Sequence, residues 1–250
     1  MPSNELMYMN WQEMIKPQKV QVDSTPTYGK FVCEPLERGF GITIGNSLRR
    51  IVLSSLNGAA IVSVKFDSVM HEFSAIPGVL EDVSEIILNL KEVRFRVPDG
   101  EPRSITIDVD KEGEVRAGDI ISGDGQCDVL NPDLHIATLS AGAKLNMSMV
   151  VKIGTGYSLS EANKDEDAPI GTIPIDAVFS PIKRVNYVVG HARVGQRTDY
   201  DKLTIEVWTD GSLLPEDAIA YAAKILKEQM TIFISFDEEQ EPEPDRKDDD

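Results

Sequence analysis

The chain has 250 residues, with 42 acidic against 25 basic side chains and a formal net charge of −17. A chain of this length buries roughly three quarters of its unfolded surface when folded, and with 41% hydrophobic residues it is not disordered as a whole. The acidity counts against direct binding of nucleic acid or of an anionic membrane surface, since both need Lys and Arg set against phosphates. Met1 to Val20 has no continuous apolar stretch, so no signal peptide is expected. No apolar run reaches the roughly 18 residues that a spanning helix needs. Two cysteines, Cys33 and Cys127, without a Cys-x-x-Cys pair, fit a reduced cytoplasmic protein. His71, His135 and His191 stand alone, with no second ligand at helical or finger spacing, so structural roles are expected, with no metal and no cofactor.

In chain order, Phe31 to Leu36 reads as a strand, and Gly45–Leu56 as a helix with Ile44, Leu48, Ile51, Val52, Ser55 and Leu56 on one side. Asn46, Arg50 and Ser54, spaced by four, form a polar stripe on the opposite side. Val62, Val64 and Phe66 alternate as in a half-buried strand. Leu80–Glu92 is predicted helical, its apolar face made by Val83, Ile86, Ile87 and Leu90, with Glu81, Asp82 and Glu85 favourable in the first turns. Ile105, Ile107 and Val109 alternate, as do Leu145, Met147, Met149, Val151 and Ile153. Arg184 to Val194 reads as a strand, followed by Leu203, Ile205 and Val207 alternating with Thr204, Glu206 and Trp208. A last helix opens at Pro215 with Glu216 and Asp217 in its first turn. Its apolar set is Ile219, Ala222, Ala223, Leu226, Met230, Phe233 and Ile234. Ala218, Tyr221 and Ile225 widen that face beyond the stripe of about 100° that one core needs, which suggests either a second partner such as another copy of the chain or deeper burial within the chain itself. Strands in hairpin-like succession predict an α+β chain with mostly antiparallel sheet.

The remaining motifs carry little catalytic chemistry. Gly39, Gly41 and Gly45 at a helix entrance suggest a phosphate cradle, but their spacing is neither the dinucleotide fingerprint nor the P-loop. A tight turn that docks against something is the favoured reading, with a phosphate-binding enzyme the alternative. No nucleophile elbow or His-Glu-x-x-His is present, so no catalytic residue is assigned. Asp165, Glu166 and Asp167 form an acidic surface loop available to a basic regulator. Residues 237–250 hold nine acids and two bases, leaving −10 for the first 236 residues, and read as a disordered linker or tail.

Glu34-Pro35-Leu36-Glu37-Arg38-Gly39-Phe40-Gly41 runs into Gly45-Asn46-Ser47-Leu48-Arg49-Arg50-Ile51-Val52. With His71-Glu72-Phe73-Ser74, Val83 to Lys91, Gln196-Arg197-Thr198-Asp199 and Pro215-Glu216-Asp217-Ala218, this resembles the amino-terminal domain of bacterial RNA polymerase alpha subunits over about residues 10–236. The resemblance implies a dimerisation subdomain from 1–57 and 184–236, an inserted mostly-β subdomain from 58–183, and no nucleotide chemistry on this chain. It implies a homodimer through the first and last helices, at Leu48, Ile51, Val52, Ser55, Ile219, Ala222, Ala223, Leu226, Met230 and Phe233. A beta subunit is expected at Arg38, Gly39, Phe40, Asn46, Arg50, Ser54, His71, Glu72 and Phe73. A beta-prime subunit is expected at Lys91, Ala177, Ser180 and Pro181. A free-standing acidic dimeric adaptor is the other reading. Such subunits continue through a linker into a DNA- and activator-binding domain, which these residues do not contain, so no nucleic-acid contact is assigned here.

Overall fold

The computed structural model describes residues 14, 15, 17, 20–98, 100–123, 125–194 and 197–234; the acidic stretch 237–250, Gln196 and the last two residues of the expected subdomain, 235–236, lie outside them. Four antiparallel strands, Val20–Ser24, Tyr28–Leu36, Arg197–Thr209 and Ile182–Val194, form one sheet in that spatial order. The predicted alternation is visible in burial, with Leu203, Ile205 and Val207 buried and Thr204, Glu206 and Trp208 half-buried on the other face. On that outer face the Tyr28 and Trp208 rings lie 5.1 Å apart, and the Arg184 guanidinium sits 4.7 Å from the Trp208 centroid.

Helices α1 (Phe40–Ser54) and α3 (Pro215–Thr231) cover the inner face. Phe31, Leu48, Val52, Leu203, Ile205, Val207, Ala218 and Ala222 make the core between helices and sheet. α1 starts five residues before the predicted Gly45, because Gly41 and Gly45 are buried helical positions and not a preceding turn. A Cβ on Gly45 would stand 2.7 Å from the Tyr187 ring and 2.9 Å from Leu203 Cδ1. The two glycines therefore let the helix axis approach the hairpin 182–209 more closely than any side chain would permit.

The second core lies under a five-stranded antiparallel sheet, in the order Thr172–Pro174, Asn57–Phe66, Leu145–Thr155, Arg103–Val109, Ile121–Ser122. Helix α2 (Val83–Lys91) closes it with Val83, Ile86 and Leu90. It begins three residues later than predicted. The Asp82 side chain caps it by accepting from the Glu85 amide at 2.8 Å, leaving Leu80 outside and exposed. One predicted alternation breaks: Val64 and Phe66 join this core, but Val62 packs with Ala177 and Phe179. A register shift opposite Val150/Val151 inserts one residue, which puts Ile61 in the place predicted for Val62.

The chain passes between the cores twice. Leu56 belongs to the first and Ile61 to the second, and the return runs through Phe179 to Ile182. Gly58 makes the crossing possible, since a Cβ there would overlap the carbonyl oxygen of Phe179. Arg96 adds a tie by donating from Nη2 to the Gly211 carbonyl at 2.9 Å. Among the described residues no helix is long and apolar enough to cross a membrane. Because the atom opposite Gly58 is backbone, Gly58→Ala should destabilise the chain by about 3 kcal/mol, at the upper end for overpacking. Urea denaturation measures this, and an unchanged midpoint would contradict the close crossing.

Candidate subunit-docking surfaces

Helix α1 has no acidic residue in its first turn, and its N-cap Gly39 has φ of 91° and no capping side chain. The cap comes from a strand 162 residues away. Asp201 Oδ2 accepts from the Gly39 amide at 2.8 Å and from the Gly41 amide at 3.1 Å. This removes the phosphate-cradle reading of Gly39, Gly41 and Gly45, because a carboxylate of the chain itself already takes those N–H groups. Arg38, Gly39 and Phe40 are left exposed on the turn. Asn46, Arg50 and Ser54 follow along the solvent side of α1, as their spacing predicts. Among the described residues nothing within the chain holds the Arg50 guanidinium.

His71, Glu72 and Phe73 lie beyond the strand Asn57–Phe66. They lie in the loop leading to α2, held by Ser74 Oγ against His71 Nδ1 at 2.9 Å and by Ser84 Oγ donating to the Glu72 carbonyl at 2.8 Å. Phe73 is 85% exposed, with Met70 and Leu80 also open. These residues border the second core while α1 borders the first, so the expected beta residues divide between the two bodies.

The expected beta-prime residues fare unevenly. Lys91, ending α2, pairs with Asp176 at 3.5 Å, beside the strand Ala177–Val178. A cleft of about 270 Å³ lined by Glu72, Leu88, Lys91 and Asp176 joins this pair to the His71–Phe73 loop. Ala177 and Pro181, however, are buried, and Ser180 is turned to the Ile182 backbone. As a correction, Val178 and not Ala177 or Pro181 presents a side chain there.

A second correction concerns the expected dimer residues. Leu48, Val52 and Ala222 are buried within the chain's own core, Val52 and Ala222 to 0% exposure. Helical periodicity locates an apolar face but not which apolar surface covers it. Ile51, Ser55, Ile219 and Leu226 are half-buried, and Ala223, Met230 and Phe233 are exposed. The uncovered apolar side chains on these helices are Phe40, Ile42 and Leu53 on α1 with Tyr221, Met230, Ile232, Phe233 and Ile234 on and after α3. Between the helices an apolar groove of about 500 Å³ is lined by Leu56, Leu213, Tyr221 and Ile225. Asp165, Glu166 and Asp167 are exposed as expected, in a loop over the outer face of the five-stranded sheet near Lys65 and Lys152.

The family model for the RNA polymerase Rpb3/RpoA insert domain matches residues 64–180. A DNA-directed RNA polymerase subunit alpha of Desulfosudis oleivorans is 68% identical over 248 residues, 98% of this chain and 73% of the relative. Those of Desulforapulum autotrophicum and Geobacter metallireducens are 66% and 62% identical, over 97% and 94% of this chain and 72% and 70% of the relatives. The chain belongs to the DNA-directed RNA polymerase alpha-subunit family.

Two features of this family member escape sequence reasoning. Asp201 leaves one trace, a carboxylate on the same strand parity as buried Leu203, Ile205 and Val207. His135 leaves none, since its partners come from distant segments. Its Nε2 lies 2.8 Å from Glu81 and its Nδ1 2.9 Å from Glu114, which also pairs with Arg116 at 2.9 Å; Arg116 reaches Asp133 at 3.7 Å. The hydrogen bond to Glu81, helped by Glu114 and opposed by partial burial, raises the His135 pKa above 6.5. Burial pushes Glu81 up, but bonds from the Thr138 amide, His135 and the Thr138 hydroxyl outweigh it and hold the carboxyl below 4.5. Arg116 and then His135 lower Glu114 likewise.

The raised histidine stabilises fully below its unfolded pKa and loses that contribution as pH rises through the folded value. The lowered carboxylates contribute above their unfolded pKa and lose it as pH falls. The network is therefore strongest between about pH 4.5 and 6.5. His135→Gln should lower the urea midpoint more at pH 6 than at pH 9, and an equal loss at both would contradict the double ion pair.

Proposed function

We propose that this chain is the dimeric assembly platform of a DNA-directed RNA polymerase, docking the beta and beta-prime subunits while the nucleotidyl-transfer chemistry resides on them. In this reading it works in the cytoplasm, contributes no catalytic group and binds no nucleic acid through these residues. The body made from 1–57 and 184–236 dimerises, and 58–183 is an insertion carried on it. Its support is that the first core closes from buried residues between Phe31 and Leu56 and between Ile182, two residues beyond the expected boundary, and Ala222, and the second from residues 61–175.

The single observation that carries the beta assignment is Arg50, without a partner among the described residues, on an exposed polar stripe one helix face away from the buried side of α1. A planar guanidinium held on a rigid helix suits bidentate capture of a partner carboxylate. Arg38 and Phe40 stand at the head of the same stripe, and Phe73 supplies an exposed aromatic from the second body. Lys91, already facing Asp176 and flanked by exposed Leu88 and Val178, supports the beta-prime contact.

The homodimer rests on the end of α3 and the residues after it, where Met230, Ile232 and Phe233 are exposed without a cover, and on the groove beside Tyr221 that is wide enough to take apolar side chains of a second copy. Arg50→Ala should leave a folded dimer and weaken beta capture by about thirtyfold or more, as for a central arginine hot spot. Pull-down of purified beta measures it. A monomeric variant that still binds beta would invert the face assignment. Phe233, 77% exposed, can be changed without opening the core. Phe233→Glu should sediment as a monomer at micromolar concentration, and a persistent dimer would move the interface off the end of α3.

A further inference from the structure

We propose that Asp201 is a positioning residue for the beta-subunit contact: its buried carboxylate holds the Arg38–Phe40 turn in the one conformation that docks. The inference rests on the beta reading above and adds to it a residue that touches no partner.

Four observations converge on Asp201. Its side chain is buried, with the residue only 7% exposed, on a strand face otherwise made of Leu203, Ile205 and Val207. A carboxylate in such a place is costly unless hydrogen bonds satisfy it. Its Oδ2 takes two, from the amides of Gly39 and Gly41, which bracket Phe40. These are charge-assisted bonds, and the Asp stands at the positive end of a helix, where a negative group is favoured. Backbone bonds close the turn, with the Phe40 amide donating to the Glu37 carbonyl at 3.0 Å, but no other described side chain takes the Gly39 and Gly41 amides. Gly39 adopts φ of 91°, nothing lies within 4 Å of where its Cβ would be, and no local side chain caps the helix. Finally, Gly41 is shaped for the contact, because a Cβ there would lie 3.0 Å from Asp201 Oδ2, 3.1 Å from its Cβ and 2.8 Å from Val189 Cγ1.

Gly39 leaves the turn freedom that its backbone bonds limit only in part, and a carboxylate anchored in a strand fixes what remains. Arg38 and Phe40 lie on either side of the freest residue, so their relative placement follows from that anchor. Without it the turn samples states in which the two side chains do not face one partner surface together. Apparent affinity then falls by the fraction of time spent in the competent state.

The test uses the full chain as a dimer with purified beta. Asp201→Ala, which removes both bonds, should weaken beta capture roughly tenfold, the scale of a lost helix cap. It should also speed hydrogen exchange at the Gly39 and Gly41 amides and leave the dimer intact by sedimentation. Asp201→Asn keeps an acceptor oxygen of the same reach and should restore most of the affinity, which a general loss of stability would not allow. Gly41→Ala, which pushes the carboxylate away from the other side, should reproduce the loss and add little when combined with Asp201→Ala. Wild-type capture by Asp201→Ala, or an Asp201→Asn chain as weak as Asp201→Ala, overturns the inference. Arg50→Ala run alongside separates the two levels. If that variant also binds beta normally, the beta reading itself fails; if it alone loses beta, only the role of Asp201 fails.

Discussion

The close seating of α1 on the hairpin 182–209 is the constraint from which the arrangement of the first body follows. Gly41 and Gly45 remove the side chains that would hold the helix off, and Tyr187, Val189 and Leu203 fill the space up to the helix backbone. That approach brings the Gly39 and Gly41 amides within reach of Asp201, which supplies the negative group that the first turn lacks. It also decides which side of α1 remains outside. With Leu48 and Val52 committed to the sheet, Asn46, Arg50 and Ser54 can only face solvent. A change in the packed glycines therefore acts on an exposed surface without touching it.

The two cores meet at a close backbone crossing and a side-chain tie. The crossing depends on Gly58 lying against the Phe179 backbone, with Arg96 reaching the Gly211 carbonyl from the second body. The surfaces proposed for large subunits are spread over both bodies, α1 on one and the His71–Phe73 loop and Lys91 on the other. Such a division makes the junction a determinant of how well one partner spans both. Two of the 42 acidic side chains also hold parts of the second body together. Glu81 and Glu114 clamp His135 between the start of α2 and the ribbon formed by Gly113–Arg116 and His135–Leu139.

Strand parity was legible wherever one face meets a core and the other meets water, as in Leu145 to Val151 and Leu203 to Val207. It failed at Val62, where an inserted residue shifts the register and no local signal marks the shift. The helices were legible as apolar periodicities, yet their beginnings were misplaced. α1 carries glycines that read as a turn when seen without the hairpin they touch, and the Asp82 cap starts α2 later than the apolar pattern suggests. Among site residues, the polar stripe was readable because its spacing alone puts Asn46, Arg50 and Ser54 on one face. The dimer set was not, because periodicity shows that Val52 and Ala222 are covered but not that the chain's own sheet covers them. Asp201 and His135 depend on partners far along the chain, and pairings of that kind exist only once the sheets have formed.

The central proposal is that this chain is a dimer whose Arg50 face docks a large subunit. Native mass spectrometry of the purified chain mixed with beta tests it most directly. The account predicts a free chain that runs as a dimer and a complex that contains that dimer bound to beta. A complex of one chain with one beta, or no complex between a dimeric chain and folded beta, would contradict it.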